Sequence, residues 1–252
     1  MALTRFAASA APEVRELASQ GAVALWPVGA TEQHGSHLVT GFDLASATAV
    51  CERAATAASA QVVLLPGLPF GASDHWLDLG ATLSLRPATL LAVAVDLIRS
   101  LERSGFSRLV IVNGHAGNIG PLTAALGDTS STAIRLEFVS YWTLVDPRRL
   151  AEASLSDGGG VGHAGEMETS IALALDAGLA VNERLPAPPG RPLAPGEPGG
   201  PPAGGIVRSP RPLTEAPSGV YGDPSQARAE FGELVIGEAS AALARHLDAP
   251  RA

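Results

Sequence analysis

The sequence predicts an α/β fold with a mostly parallel sheet and helices on both faces. Two features of the 252 residues carry that prediction. Short apolar runs rich in Val, Ile and Leu alternate with longer stretches whose apolar residues recur at helical spacing, the order that builds strand–helix–strand units. Several of the apolar runs also end in Glu, His and Asn, and in such sheets the ligand site lies beyond the carboxyl ends of the strands.

Residues 11–20 predict a short helix leading into a strand at Val23–Val28. That strand hands over to W-P-V-G-A-T-E-Q-H-G-S-H-L-V-T-G-F-D, residues 26–43, in which Glu32 and His34 stand two apart and Asp43 follows nine residues later. A carboxylate, an imidazole and a second carboxylate are ligands that divalent zinc, manganese or iron accepts without cysteine. Asp43 has a second reading. It precedes a helical run, Leu44 to about Ala58, with Thr40 three residues upstream, so it also suits a helix cap or half a capping box.

A strand at Val62–Leu65 closes at Pro66-Gly67. The segment G-A-S-D-H-W-L-D-L-G, residues 71–80, is too polar for a core element and too rich in reactive side chains for a spacer. There His75 and Trp76, with Trp142 further on, are candidate pocket walls, ordinary packing being the alternative for each tryptophan. A helix over Pro87–Arg103 starts with proline at its first position. It delivers the chain to a strand at Arg108–Val112 that ends in N-G-H-A-G-N, residues 113–118. A helix near Pro121–Leu126 and a strand at Ile134–Val139 follow.

From Val161 the chain reads V-G-H-A-G-E-M-E-T-S-I-A-L-A-L, a loop running into a helix. At ~100° per residue, Met167, Ile171 and Leu175 share an apolar face with Glu168 at its edge, while Glu166 shares the opposite, polar side with Thr169. A carboxylate turned inward needs a partner, which a metal would supply. Both glutamates also suit the positive end of the helix dipole, so the choice between them stays open. Residues 186–217 are dense in Pro and Gly and read as an irregular surface excursion, a candidate lid or subunit contact. The last element is an amphipathic helix through about His246, with Asp223 as cap, Pro224 at its first position and His246 in a solvated surface role.

Composition bounds the chemistry. The chain carries 46% apolar and 17% charged residues, which fits one large domain over 1–252. No apolar run approaches the ~18 residues of a membrane span, and the N-terminus has no sustained apolar segment, so a cytoplasmic protein is expected. A net charge of −8 disfavours nucleic acid and anionic membrane as partners. The absence of lysine excludes a Schiff base and a Walker-type loop. The single Cys51 excludes an internal disulfide and a thiolate zinc site and reads as a small buried apolar residue.

Taken together, E-Q-H-G-S-H…D (32–43), N-G-H-A-G-N (113–118), H-A-G-E-M-E-T-S (163–170) and G-V-Y-G-D-P (219–224) resemble the creatininase family of metal-dependent amidohydrolases, in order and over nearly the whole chain. The resemblance implies a three-layer αβα sandwich, two divalent metal ions (zinc first, manganese or iron otherwise) and a homohexamer. By position, Glu32, His34, Asp43 and His115 match the family's metal ligands, with Asp43 at the carboxylate shared by both ions. His163 matches its catalytic histidine and Glu168 an acidic position five residues later. Where creatininase has a glutamate ligand two residues after the histidine of N-G-H, this chain has Gly117, which puts creatinine in doubt as substrate and makes Glu168 the candidate fifth ligand. The expected activity is hydrolysis of a C–N amide bond in a small, uncharacterised substrate. The alternatives are a peptidase-like maturation factor acting on a modified peptide, of the mycofactocin type, or a non-catalytic metal- or ligand-binding member of the fold.

Overall fold

The computed structural model describes residues 3–129, 132–156, 160–175, 178–194 and 215–249. Its sheet has five strands, β1 (Thr4–Arg5), β2 (Val23–Val28), β3 (Val62–Leu64), β4 (Arg108–Asn113) and β5 (Arg135–Ser140), in the order β1-β3-β2-β4-β5. Every pairing is parallel, with Trp26 opposite Ile111 and Val28 opposite Asn113 in the central pair. Among the described residues, seven helices connect or follow them: α1 (Ala11–Ser19), α2 (Phe42–Ala57), α3 (Pro87–Arg103), α4 (Ile119–Asp128), α5 (Pro147–Ala153), α6 (Glu166–Leu175) and α7 (Ala229–Asp248).

Because side chains alternate across a strand, the central strands feed two separate cores. Val23 and Leu25 of β2 and Val110 and Val112 of β4 pack with α2, α6 and α7. Ala24, Trp26 and Val28 with Leu109 and Ile111 pack on the other face against α1, α3 and α4. Both faces being covered, β2 and β4 are buried at every position, which is why they read in sequence as unbroken apolar runs. In α3, Leu90, Ala94, Ile98 and Leu101 form the buried stripe at three- and four-residue spacing. The three-layer arrangement is the expected one.

Several element boundaries differ from the sequence reading, each for a local reason. Asp223 does cap, its Oδ1 accepting from the Ser225 N–H at 3.0 Å, but the helix it starts is only the 3-10 turn Pro224–Gln226. The chain re-extends at Arg228, whose N–H donates to Ser170 Oγ at 3.0 Å, and α7 begins afresh at Ala229. The two-residue β1 is too short to show a period. Helix α5 is short as well, and its start is marked only by Asp146, which accepts from the Arg148 N–H at 2.8 Å. The polar segment 71–80 folds as a 3-10 turn over Asp74–Leu79. Residues 195–214 of the Pro/Gly-rich excursion lie outside the described residues. Among the described residues, no helix is long and apolar enough to cross a membrane.

One buried cation ties the sheet to α7. Arg108, at the start of β4 and 4% exposed, donates to Glu137 Oε2 on β5 at 2.8 Å and to the main-chain oxygens of Leu247 and His246 at 3.0 and 2.9 Å. His246 is therefore more than a solvated side chain, since its Nε2 also stands 3.4 Å from Glu137. Replacing Arg108 by Leu leaves two helix-end carbonyls and a mostly buried carboxylate without that donor. The expected loss is about 2 kcal/mol of unfolding free energy, read from urea denaturation, with metal content unchanged.

Candidate metal centre

The carboxyl ends of the parallel strands converge on one cavity. Glu32 and His34 follow β2, His75 and Trp76 follow β3, His115 follows β4, and Trp142 follows β5. Helices α2 and α6 bring Asp43 and Glu168 to the same place from their N-terminal turns, and the loop before α6 brings His163. Such an edge is where open parallel sheets place ligands.

Asp43 stands at the middle. It is the second residue of α2, Gly41 occupies the cap position, and the Asp43 side chain caps no backbone N–H. The helix-cap reading is thereby corrected: its Oδ1 lies 3.0 Å from His34 Nε2 and its Oδ2 lies 3.3 Å from His115 Nδ1. Close packing of β4 on α2 fixes this position, since a Cβ at Gly114 would stand 2.2 Å from the Asp43 main-chain oxygen. Glu168 Oε2 lies 3.8 Å from the same His34 nitrogen, and Glu32 Oε1 lies 3.3 Å from the same His115 nitrogen. Two donors bound to one zinc at about 2.0–2.1 Å stand roughly 3.3 Å apart at the tetrahedral angle. His34, Asp43 and Glu168 thus form one set that could hold a divalent ion, and Glu32, Asp43 and His115 form another.

The histidines are oriented by main chain. His34 Nδ1 donates to the Glu32 carbonyl at 3.1 Å, and His115 Nε2 to the Ala72 carbonyl at 3.2 Å. Each bond holds one ring nitrogen on the main chain and leaves the other facing the carboxylates. Asn113 and Asn118, to which the sequence reading assigned no role, brace the His115 loop. Asn113 Nδ2 donates to the His115 carbonyl at 2.7 Å, and Asn118 links Gly29 to Ala72.

His163 repeats the pattern. Its Nε2 donates to the Gln33 carbonyl at 2.8 Å, its Nδ1 faces Glu32 Oε1 at 3.4 Å, and Trp76 stacks on its ring at 4.3 Å between centroids. Trp76 is both packed and a wall, being fully buried and lining the cavity. His75 lines the cavity too, parallel to the His115 ring at 5.8 Å. His37 does not join the cluster; it is buried against Thr169 Oγ1 at 3.0 Å.

The electrostatics show what the site lacks. Both oxygens of Glu32 and Oδ2 of Asp43 are buried without a hydrogen-bond partner, which is costly for charged groups unless a cation serves them. Burial drives the Glu168 carboxyl up to about 7, with the Asp43 and Glu32 charges adding to the rise and His34 opposing it. Burial alone would lower His34, but its pairing with Asp43, Glu168 and Glu32 prevails and raises it to about 10. His115 is raised well above its ordinary value by Glu32 and Asp43, again against burial. Burial and the neighbouring His34 hold His163 down to about 3, so that ring is neutral. Orphaned carboxylate oxygens among imidazole nitrogens that can give up their protons are a donor set that fits divalent metal, with no thiolate involved.

Glu166 overturns one expectation. Though on the polar side of α6, it is fully buried, because residues 154–156 close over it: its carboxylate accepts from Ser154 Oγ at 2.6 Å and from the Leu155 and Ser156 N–H groups at 2.9 Å each. It holds the segment before the His163 loop and does not face the cavity.

A family model described as creatininase, creatinine amidohydrolase, matches residues 7–247. The creatinine amidohydrolase of Pseudomonas putida is 34% identical over 184 residues, 67% of this chain and 70% of that protein. The mycofactocin precursor peptide peptidase of Mycobacterium ulcerans is 30% identical over 221 residues, 85% of this chain and 80% of that protein. A manganese form of creatininase superposes with a TM-score of 0.80 at 27% identity, covering 97% of both chains. A zinc–zinc form of a creatininase mutant gives 0.78 at 28% identity, over 98% of this chain and 97% of that one.

The two glutamates of α6 separate experimentally. Glu168→Gln is expected to lower the metal bound per chain while leaving stability nearly unchanged. Glu166→Gln keeps the metal but loses part of its anchoring of residues 154–156, about 1–3 kcal/mol. Elemental analysis and denaturation on both variants test this, and metal loss confined to Glu166→Gln contradicts the assignment.

Proposed function

This chain belongs to the creatininase family, and on that premise we propose that it hydrolyses a C–N amide bond of a small substrate with two divalent ions, zinc first and manganese or iron otherwise. The observation that carries the reading is the split carboxylate of Asp43, one oxygen toward His34 and the other toward His115. His34, Asp43 and Glu168 would hold one ion; Glu32, Asp43 and His115 would hold the other. When bound, such a pair supplies Lewis-acid polarisation of a carbonyl and acidification of water.

The chain's own residues supply the rest. With Nε2–H fixed on the Gln33 carbonyl, His163, which lines the cavity, keeps its Nδ1 lone pair beside Glu32, from where it would take a proton from water and return it to a leaving nitrogen. Stacking on Trp76 holds the ring plane during that exchange. Trp142, Tyr221 and Leu193 close the cavity with apolar surface and limit access of bulk water. No arginine lines the cavity among the described residues, and the chain has no lysine, so the site favours a neutral or cationic group over a free carboxylate. The cavity encloses about 70 Å³, well under the ~150 Å³ that admits a benzene-sized ligand. A small reacting group therefore enters.

A second reading, a peptidase acting on a modified peptide, is favoured by the longer match to the mycofactocin precursor peptide peptidase, 85% of this chain against 67% for the creatinine amidohydrolase. In that case only the scissile end of the peptide enters. One domain and a cytoplasmic hexamer complete the proposal, the assembly being supported by family resemblance alone.

Two outcomes are expected. His163→Ala retains two ions per chain by elemental analysis and loses about 10²–10⁴ in turnover, whereas His115→Ala loses metal first; a metal-depleted His163→Ala protein would reassign that residue as a ligand. In a panel of creatinine, formamido-pyrimidines, cyclic amides and short peptides assayed with zinc, manganese and iron, creatinine turns over poorly, and efficient creatinine hydrolysis sinks the argument from Gly117.

A further inference from the structure

The set formed by Glu32, Asp43 and His115 has three protein donors, and its neighbourhood contains a fourth that no assignment above uses. A Cβ at Gly117 would stand 2.2 Å from the Ala72 carbonyl oxygen and 2.4 Å from His115 Nε2, so no side chain can reach the site from that position in this backbone. The obstructing segment, Gly71 to Ser73, is itself anchored. The Ala72 N–H donates to Asn118 Oδ1 at 2.9 Å, and Ser73 N–H donates to Ser84 Oγ at 2.8 Å. It leads into the 3-10 turn Asp74–Leu79, which carries His75 to the cavity wall.

There a ring nitrogen of His75, a ring nitrogen of His115 and a Glu32 oxygen lie within 4.8 Å of one another. The two imidazoles are parallel to within 3°, and no hydrogen bond engages the His75 ring among the described residues. Both Glu32 oxygens lack a hydrogen-bond donor as well. An unengaged imidazole beside an unengaged buried carboxylate is a ligand pair. The same Glu32 carboxylate also stands 3.3 Å from His115 Nδ1 and 3.4 Å from His163 Nδ1.

We propose that His75 is a protein ligand of the ion held by Glu32, Asp43 and His115, giving that ion two imidazoles and two carboxylates. The inference rests on the two-ion reading above and adds an asymmetry to it. The ion on the His75 side has four protein donors, which fills a zinc tetrahedron, while the ion on the His34, Asp43 and Glu168 side has three and keeps a position open for the reaction. The His75-side ion is then the tighter of the two.

The test uses the full chain, stripped of metal and titrated with cobalt(II) and with zinc against a competing chelator, with His75→Ala and His75→Gln beside the wild type. The wild type is expected to take up two ions of unequal affinity. Both variants should weaken the tighter site by about 10²-fold or more, at least what loss of an outer-shell partner costs, and should change the cobalt visible spectrum of that site. Circular dichroism and the unchanged weaker site show that the variants are folded; if Ala disrupts the fold, Gln gives the reading. Unchanged affinity and spectrum in a folded variant overturn the role of His75 and leave the two-ion reading intact. A wild type that binds a single ion overturns the two-ion reading, yet the same comparison still decides His75. A wild type that binds none overturns both.

Discussion

Three carboxylates buried in one place are the constraint on which the rest of this protein depends. Glu32, Asp43 and Glu168 sit within a few ångströms of shared histidine nitrogens, with no lysine in the chain and, among the described residues, no arginine lining the cavity. Taking a carboxylate out of water costs several kcal/mol after relaxation unless it is paired. In the protein alone the deficit falls on protons, which is why His34 rises to about 10 and Glu168 to about 7. A divalent cation meets the same demand more fully, and it displaces those protons when it binds.

Holding such a cluster together requires rigid surroundings, and the parallel sheet supplies them. Its two central strands are buried on both faces, so their carboxyl ends cannot drift relative to each other. Gly114 lets β4 press directly on the start of α2, which fixes Asp43 between the ends of β2 and β4. Asn113 then serves main-chain groups of His115 in the turn after β4, and Asn118 serves those of Gly29 and Ala72 after β2 and β3. Each brace is a buried hydrogen bond worth about 1 kcal/mol net, and more when its removal strands the partner.

This physics also explains what could be read from the sequence. Strands buried on both faces leave unbroken apolar runs, so β2 and β4 were legible to within a residue. That Glu32, His34 and His115 share one edge was legible because each follows a strand, while Asp43, His163 and Glu168, which lie on helices or a loop, were joined to them by the family resemblance and by helical phase. What escaped depends on tertiary neighbours. Helical phase set Glu168, which lines the cavity, apart from Glu166, but nothing in α6 itself says that residues 154–156 close over Glu166. Asp223 has the right chemistry for a helix start, yet the helix it starts lasts one turn because Arg228 is tied to Ser170. His75 was read only as a wall, since its relation to Glu32 and His115 comes from the 3-10 turn over 74–79, which has no period to detect.

One regularity bears on how the histidines divide their work. His34, His115 and His163 each place one ring nitrogen on a main-chain carbonyl, those of Glu32, Ala72 and Gln33. Tautomer alone therefore does not separate a ligand from a proton carrier. What differs is what the free nitrogen meets. His34 and His115 each face Asp43 and one further carboxylate, while His163 faces Glu32 and stands beside His34, with Trp76 stacked on it at the cavity wall. A nitrogen shared between two carboxylates is placed for an ion. His163 lines the cavity with one nitrogen bound to the Gln33 carbonyl and Trp76 stacked on its ring, and because Glu32 and Gln33 are consecutive, the same stretch of backbone sets the distance between the carboxylate and that ring.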